Sequence, residues 1–188
     1  MKRLTIAAIA AFALGMAAAA AGVWHHQREG QALAFPAAPV WEEAEWPLPP
    51  DQWGRGKYFR CRKDVCGEEI RVYIRAKLGF CKCDVGVNDD EELDRIGDLQ
   101  VFSDHPVALG PGRPIKVAWM TGRSRRFALG PTTLTAPTVL SVGFNDHCDA
   151  VTATAVSDRR RAAAAESAVL EFLNGDVVMH WVKMTLGL

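Results

Sequence analysis

The chain has 188 residues, of which 22 are basic and 22 acidic, so its formal net charge is zero. Proteins that bind nucleic acid carry a basic excess, so this balance excludes nucleic acid as an expected partner. The length is sufficient for one domain with its own hydrophobic core.

The first 24 residues predict export from the cytoplasm. Lys2 and Arg3 precede residues 4–24, which contain no charged side chain, and a basic start followed by an apolar run is typical of a secretion leader. Two interpretations stay open. Small residues at Ala19 and Ala21 favour a cleaved signal peptide, whereas the length, sufficient to span about 30 Å of hydrocarbon, favours a retained membrane anchor. Both place the remainder in the periplasm, either secreted or anchored in the inner membrane.

Residues 25–55 are predicted to be a linker, and residues 56–188 a single periplasmic domain. Five prolines exclude a long helix or a central strand from the linker. Three tryptophans, Trp41, Trp46 and Trp53, are unusual in a simple tether. They predict that part of this segment packs on the core or the edge of the domain.

The clearest strand is predicted at residues 70–80, where apolar and polar side chains alternate with a period of two. Residues 58–62 precede it across a turn that contains Asp64 and Gly67, which predicts a hairpin.

A short helix is predicted at residues 89–96. Asp89 is a suitable N-cap, Glu92 occupies the capping-box position three residues later, and Gly97 can end the helix.

Further strands are predicted in the second half of the chain, at residues 115–121, 127–129, 138–144 and 150–156. A basic turn at residues 122–125 joins the first two of these, and a polar turn at Asn145 and Asp146 joins the last two.

Residues 162–186 are predicted to be helical, with a break at residues 174–176. The second helical part has one apolar stripe, made of Val177, Val178, Trp181 and Met184. The fold class is therefore α+β. We expect a mainly antiparallel sheet of five to six strands, with a short capped helix after the second strand and a C-terminal helical segment on one face.

Five cysteines bear on the function: Cys61, Cys66, Cys81, Cys83 and Cys148. Behind an export leader they are expected to form disulfides rather than a zinc site. A bridge within the Cys81–Cys83 tripeptide would be strained, which favours bridges from the Cys61 and Cys66 pair to the Cys81 and Cys83 pair, although the sequence does not select one pairing. The alternatives are a thiol-redox site at Cys81 and Cys83, and a copper or zinc site that uses all four.

A basic loop at residues 123–126 is a candidate site for an anionic ligand or a protein partner. Arg123, Arg125 and Arg126 lie there, in a stretch from residue 105 to 145 without acids. The competing interpretation is that these arginines neutralise the acidic segment 84–98 across solvated faces.

Asp146, His147, Cys148 and Asp149 contain the side chains of a hydrolytic site. Adjacent side chains of a strand point to opposite faces, so His147 and Cys148 would meet only in a turn, and a polar hairpin end is the competing interpretation. The chain contains no P-loop, no G-x-G-x-x-G and no G-x-S-x-G motif. Residues 84–92 depart from the EF-hand calcium loop. We therefore predict no catalytic residue, no metal and no cofactor.

The segments 79–95, 144–149 and 171–174 together resemble a family of small exported proteobacterial proteins. The resemblance implies export and a single domain, and it carries no activity or functional residue to this chain.

Taken together, these features predict a non-enzymatic periplasmic or membrane-anchored accessory or binding module that disulfides stabilise. The alternative is thiol-redox or soft-metal handling through Cys61, Cys66, Cys81 and Cys83. The expected partners are the membrane, through an uncleaved leader, and a protein or anionic molecule.

Overall fold

The computed structural model describes residues 39–130 and 137–188, in which eight strands form one antiparallel sheet with helices against it. The strands are β1 (Glu42–Ala44), β2 (Lys57–Cys61), β3 (Ile70–Lys77), β4 (Val107–Ala108), β5 (Arg113–Val117), β6 (Met120–Ala128), β7 (Pro137–Asp146) and β8 (Asp149–Asp158). The helices are α1 (Lys63–Cys66), α2 (Asp90–Ile96), α3 (Ala162–Leu173) and α4 (Asp176–Leu186), with 3₁₀ turns at Leu99–Val101 and Arg159–Arg161. The predicted export leader lies outside the described residues.

The sheet order is β1-β2-β3-β8-β7-β6-β4, and β5 also pairs with β6. The prediction of an α+β fold with a mainly antiparallel sheet is confirmed, but the sheet has eight strands rather than five to six. The missed strands are β1, hidden in a proline-rich segment, and β4, which has only two residues. None of the helices in the described part of the chain is long and apolar enough to cross a membrane.

The C-terminal helices α3 and α4 cover one face of the sheet, the helical face. Alternate apolar residues of the central strands point there, among them Ile74, Val142 and Val151, and they are fully buried. Val169 of α3 and Val182 of α4 belong to the same core cluster. The predicted placement of the C-terminal helical segment on one face is confirmed.

The opposite face, the loop face, is covered by α2, the 3₁₀ turn at Leu99–Val101 and the segment 46–53. Asp89 caps α2 as predicted, since its carboxylate accepts the Glu92 N–H at 2.7 Å. The helix lies close to the sheet because Gly143 has no side chain: a Cβ there would stand 2.9 Å from Ile96 Cδ1. The helix follows the third strand rather than the second, because β1 precedes the predicted hairpin.

A buried group of charges lies on the loop face, between β3 and the residues after α2. Lys77 is 3% exposed, and its Nζ donates to the carbonyl oxygen of Ile96 at 2.6 Å and to Asp98 Oδ1 at 2.8 Å. Arg75 is 2% exposed, pairs with Asp51 and lies 3.7 Å from the same Asp98 oxygen. The Asp98 carboxylate therefore forms ion pairs with two buried cations.

The turn between β5 and β6 lies at Ala118 and Trp119, and the prediction of a turn at residues 122–125 is wrong. Ala118 takes the positive φ of 51° that the turn requires. Gly122 lies inside β6, where a Cβ would stand 2.1 Å from the carbonyl oxygen of Gly143. This glycine marks a close approach of two strands, not a turn.

The described part of the predicted linker, residues 39–55, packs on the sheet. Trp41 stacks on Phe172 of α3, Trp46 is buried against Tyr73, and β1 pairs with β2. The domain start predicted at residue 56 therefore falls inside the folded unit.

Candidate binding groove

Helix α4 is apolar on two sides. Val178 and Val182 are buried in the core of the helical face, but Val177 is 62% exposed and Met184 is 70% exposed. Val177, Trp181 and Met184 follow the i, i+4, i+7 spacing of one helix side, which we call the outer apolar row. A helix with one face in the core ordinarily presents polar residues on its other side, so this row is a feature to be explained.

The ends of α4 are fixed by local sequence. Asp176 lies in its first turn, where an acid complements the helix dipole, and Gly187 ends it in the left-handed conformation with φ 73°. Asn174, between α3 and α4, accepts the Ala118 N–H at 2.7 Å and donates to the Leu170 carbonyl oxygen at 2.8 Å. These contacts hold the start of α4 against the β5–β6 hairpin.

The outer apolar row borders a cavity of about 470 Å³ between α4 and the β1–β2 edge of the sheet. Phe59 of β2 and the three side chains of the row provide its apolar lining, and Glu43, Lys57 and His180 complete it. Trp181 also borders a second cavity of about 340 Å³ that Trp53 and Leu78 help to line. The two cavities and the row form what we call the α4 groove, whose volume is in the range of ligand-binding clefts.

The sheet edge beside the α4 groove is strand β1. It pairs with β2 on one side, and no strand of the described sheet lies on its other side. Glu43 of β1 lines the cavity and forms an ion pair with Lys57 at 2.5 Å. An open strand edge and an apolar cavity therefore adjoin each other.

The sequence did not predict the α4 groove, although it contained the signal. The prediction places Val177, Val178, Trp181 and Met184 on one apolar stripe. At 100° per residue, however, Val177, Trp181 and Met184 fall on one side, and Val178 and Val182 on another. Two apolar rows on one helix already indicate that only one of them can face the core.

Two disulfides are present, Cys61–Cys66 and Cys83–Cys148. The favoured pairing between the first and second cysteine pairs is therefore wrong. Strand β3 separates the pairs, and its eight residues extend about 26 Å, far beyond the 4–7 Å between the Cα atoms of bridged cysteines. The observed Cα separations are 6.0 Å and 4.2 Å.

Cys81 is the remaining thiol, and it is buried beside the second bridge. Its Sγ donates to the carbonyl oxygen of His147 at 3.2 Å, and its N–H donates to the carbonyl oxygen of Cys148 at 3.2 Å. Burial and the nearby Glu92 carboxylate raise the pKa of the Cys81 thiol. A buried thiol with a raised pKa is a poor nucleophile and a poor metal ligand.

With three of the four proposed thiols in bridges, the thiol-redox and soft-metal alternatives have one reduced cysteine available. Within residues 39–130 and 137–188, no group of three or more His, Cys, Asp or Glu side chains is arranged to hold a metal ion.

Arg123, Arg125 and Arg126 lie in strand β6 rather than in a loop, so they do not point the same way. Arg123 pairs with Asp90 of α2, and Arg125 Nη1 donates to Asp94 Oδ2 at 2.7 Å. Arg126 points to the helical face, with its Nε 3.7 Å from Glu166 Oε2. The structure thus divides the three candidate residues between two faces of the sheet.

The contact between α2 and β6 contains ion pairs of Arg123 with Asp90 and of Arg125 with Asp94. The Gly112 N–H and the Arg123 guanidinium hold the pKa of Asp90 below its ordinary value, while burial raises the pKa of Asp94. The two arginines therefore fasten α2 to the sheet.

Asp146, His147, Cys148 and Asp149 lie at the tip of the β7–β8 hairpin. His147 has φ 50°, and its Nδ1 lies 3.1 Å from Asp146 Oδ2. Cys148 is bridged to Cys83, and Asp149 accepts the Gly79 N–H at 2.6 Å. The sulfur that a hydrolytic mechanism would use is thus part of a disulfide.

Among known proteins, the chain matches no protein-family model, no curated protein and no solved structure. The resemblance to a family of small exported proteins therefore stays a prediction.

Proposed function

We propose that the protein is an exported, non-enzymatic binding module that holds an apolar segment of a protein partner in the α4 groove. The observation that carries the proposal is the outer apolar row. Two of its side chains, Val177 and Met184, are more than half exposed although the same helix packs into the core. Exposed apolar rows beside a concave surface mark sites of interaction with other proteins.

The leader and the disulfides support the location. A basic start followed by an apolar run addresses the chain to secretion, and stable disulfides form in oxidising compartments. The module therefore acts in the periplasm, either free after cleavage or tethered to the inner membrane. Two covalent bridges stabilise a single domain there by constraining its unfolded chain.

A polypeptide is the occupant that the groove favours. The apolar cavity adjoins main-chain hydrogen-bonding groups of β1 and the charged residues Glu43 and Lys57. An apolar small molecule would use only the first of these features, whereas a peptide uses apolar side chains, main-chain polar groups and charges together.

Selection of peptides on the full-length chain tests this function. We expect a displayed library of random nine-residue peptides to yield binders enriched in large apolar residues. Val177→Lys should weaken their binding at least about tenfold, because it places a charge in the apolar contact. Dissociation constants of the selected peptides, measured by fluorescence anisotropy, check the expectation.

The matched control is Val107→Lys, which makes the same change at a residue that is 51% exposed and lies on β4, outside the groove. It should leave binding unchanged, and both variants should unfold at the temperature of the unaltered chain. A library without enriched peptides, or equal binding to both variants, would contradict the proposal.

A further inference from the structure

We infer that the partner segment binds the α4 groove as an added β-strand, paired with the open edge of β1. The inference rests on the proposed function and specifies the conformation and chemistry of the partner. The partner segment has an extended main chain, one large apolar side chain that enters the cavity, and a flanking Lys or Arg.

The end position of β1 in the sheet supports the extended conformation. Glu42, Glu43 and Ala44 pair with Arg60, Phe59 and Tyr58 of β2, and β1 is the last strand of the described sheet on this side. A strand at the edge of a sheet presents a row of N–H and C=O groups on its outer side, to which an extended peptide can pair.

The cavity lies at the correct place for a side chain of such an added strand. Glu43 belongs to β1 and also lines the 470 Å³ cavity with Phe59, Trp181 and Met184. Because successive side chains of a strand point to opposite faces, every second residue of the peptide projects toward α4. One large apolar side chain can then enter the cavity while its neighbours face away.

The charge of the edge specifies the flanking residues. Three glutamates, Glu42, Glu43 and Glu45, lie within four residues of the chain along and just after β1. The Glu42 carboxylate lies 3.8 Å from the Arg60 guanidinium and 3.6 Å from that of Arg62. Glu43 forms its ion pair with Lys57. The Glu45 side chain is exposed. A Lys or Arg beside the apolar anchor of the partner therefore complements Glu45, which forms no ion pair with the described residues.

N-methylation of the peptide main chain tests the added strand. In a strand paired on one side, alternate N–H groups point to β1 and the others point to solvent. Taking a peptide selected on the full-length chain, we expect methylation of two N–H groups of one parity to weaken binding at least about tenfold. Methylation of two N–H groups of the other parity should change binding less than about threefold.

The outcomes separate the inference from the proposed function. If the peptide binds and needs Val177, but both parities weaken it equally or neither does, the partner does not add to β1, and a helical peptide is the occupant. If no selected peptide binds and the chain instead forms a dimer that Val177→Lys dissociates, a second copy fills the groove. That result overturns both proposals. Replacement of the flanking Lys or Arg of the peptide by Glu should weaken binding at least about threefold, and an unchanged affinity would overturn the charge assignment.

Discussion

We expect Asp98→Asn to lower the free energy of unfolding by about 3 kcal/mol or more, because it removes the carboxylate partner of the buried Lys77 and leaves the buried Arg75 with Asp51 alone. Asp98 contacts Lys77 at 2.8 Å and Arg75 at 3.7 Å, and its other oxygen accepts the Thr152 hydroxyl at 3.3 Å. The asparagine preserves the size of the side chain, so the loss reports the missing charge. Urea unfolding of the full-length chain measures it.

Two further variants make this prediction specific. Asp104→Asn makes the same change at an exposed carboxylate six residues further along the chain, and it should cost less than about 0.5 kcal/mol. Adding Lys77→Met to Asp98→Asn removes the buried cation that has lost its carboxylate partner, and it should restore part of the lost stability. A loss for Asp98→Asn as small as that for Asp104→Asn would contradict the buried charge group.

The second prediction with a large effect concerns the unequal contributions of the two disulfides. The Cys83–Cys148 bridge has a sequence separation of 65 and the Cys61–Cys66 bridge one of 5. In the chain-entropy account, a bridge stabilises by restricting the unfolded chain, by about 4 kcal/mol for the long loop and about 2 kcal/mol for the short one. Against a total stability of about 5–15 kcal/mol, the loss of the long bridge is severe.

Variants that keep a single bridge measure the contribution of that bridge to the free energy of unfolding. The same chain is compared before and after reduction, so the remaining pair of cysteines is not mutated. In the chain with Cys61→Ala and Cys66→Ala, a reductant should lower the free energy of unfolding by about 4 kcal/mol. In the chain with Cys83→Ala and Cys148→Ala, the reductant should lower the free energy of unfolding by about 2 kcal/mol. The chain with all four changes is the control and should not respond to the reductant. Equal responses of the two single-bridge chains would contradict the prediction.

Alternation and capping made the sheet and α2 predictable from the sequence. Residues 70–80 alternate so regularly that the start of β3 at Ile70 was predicted to the residue, although the strand ends at Lys77, three residues before the predicted end. Asp89 identified the start of α2. Both signals are local, since they depend on side chains a few residues apart. The antiparallel class followed from strands grouped before a helical end.

Features that depend on distant contacts were missed. Gly122 predicts a turn when only its neighbours are considered, yet the reason for the glycine is the carbonyl oxygen of Gly143, across the β6–β7 pair. The turn at Ala118 has no glycine or asparagine to reveal it. Strand β1 lies in a segment with many prolines, and its partner strand determines it.

The cysteine pairing shows a different kind of error. The predicted long strand between Cys66 and Cys81 already separated the two cysteine pairs by more than a disulfide can reach. What the sequence could not show is that the β7–β8 hairpin brings Cys148 back to Cys83, because that contact spans 65 residues. The α4 groove was missed because it also depends on a tertiary contact. The side of α4 that packs on the sheet determines which apolar row is buried and which is exposed.

The most direct test is disulfide mapping of the protein recovered from the cells that produce it. It asks whether the protein is a disulfide-stabilised module located outside the cytoplasm. Alkylation before reduction, followed by mass spectrometry, should find the chain in the periplasmic or membrane fraction, with Cys61 joined to Cys66 and Cys83 joined to Cys148. Cys81 should take up the label only after unfolding, because its thiol is buried. A chain in the soluble cytoplasmic fraction with all five cysteines labelled would contradict the account.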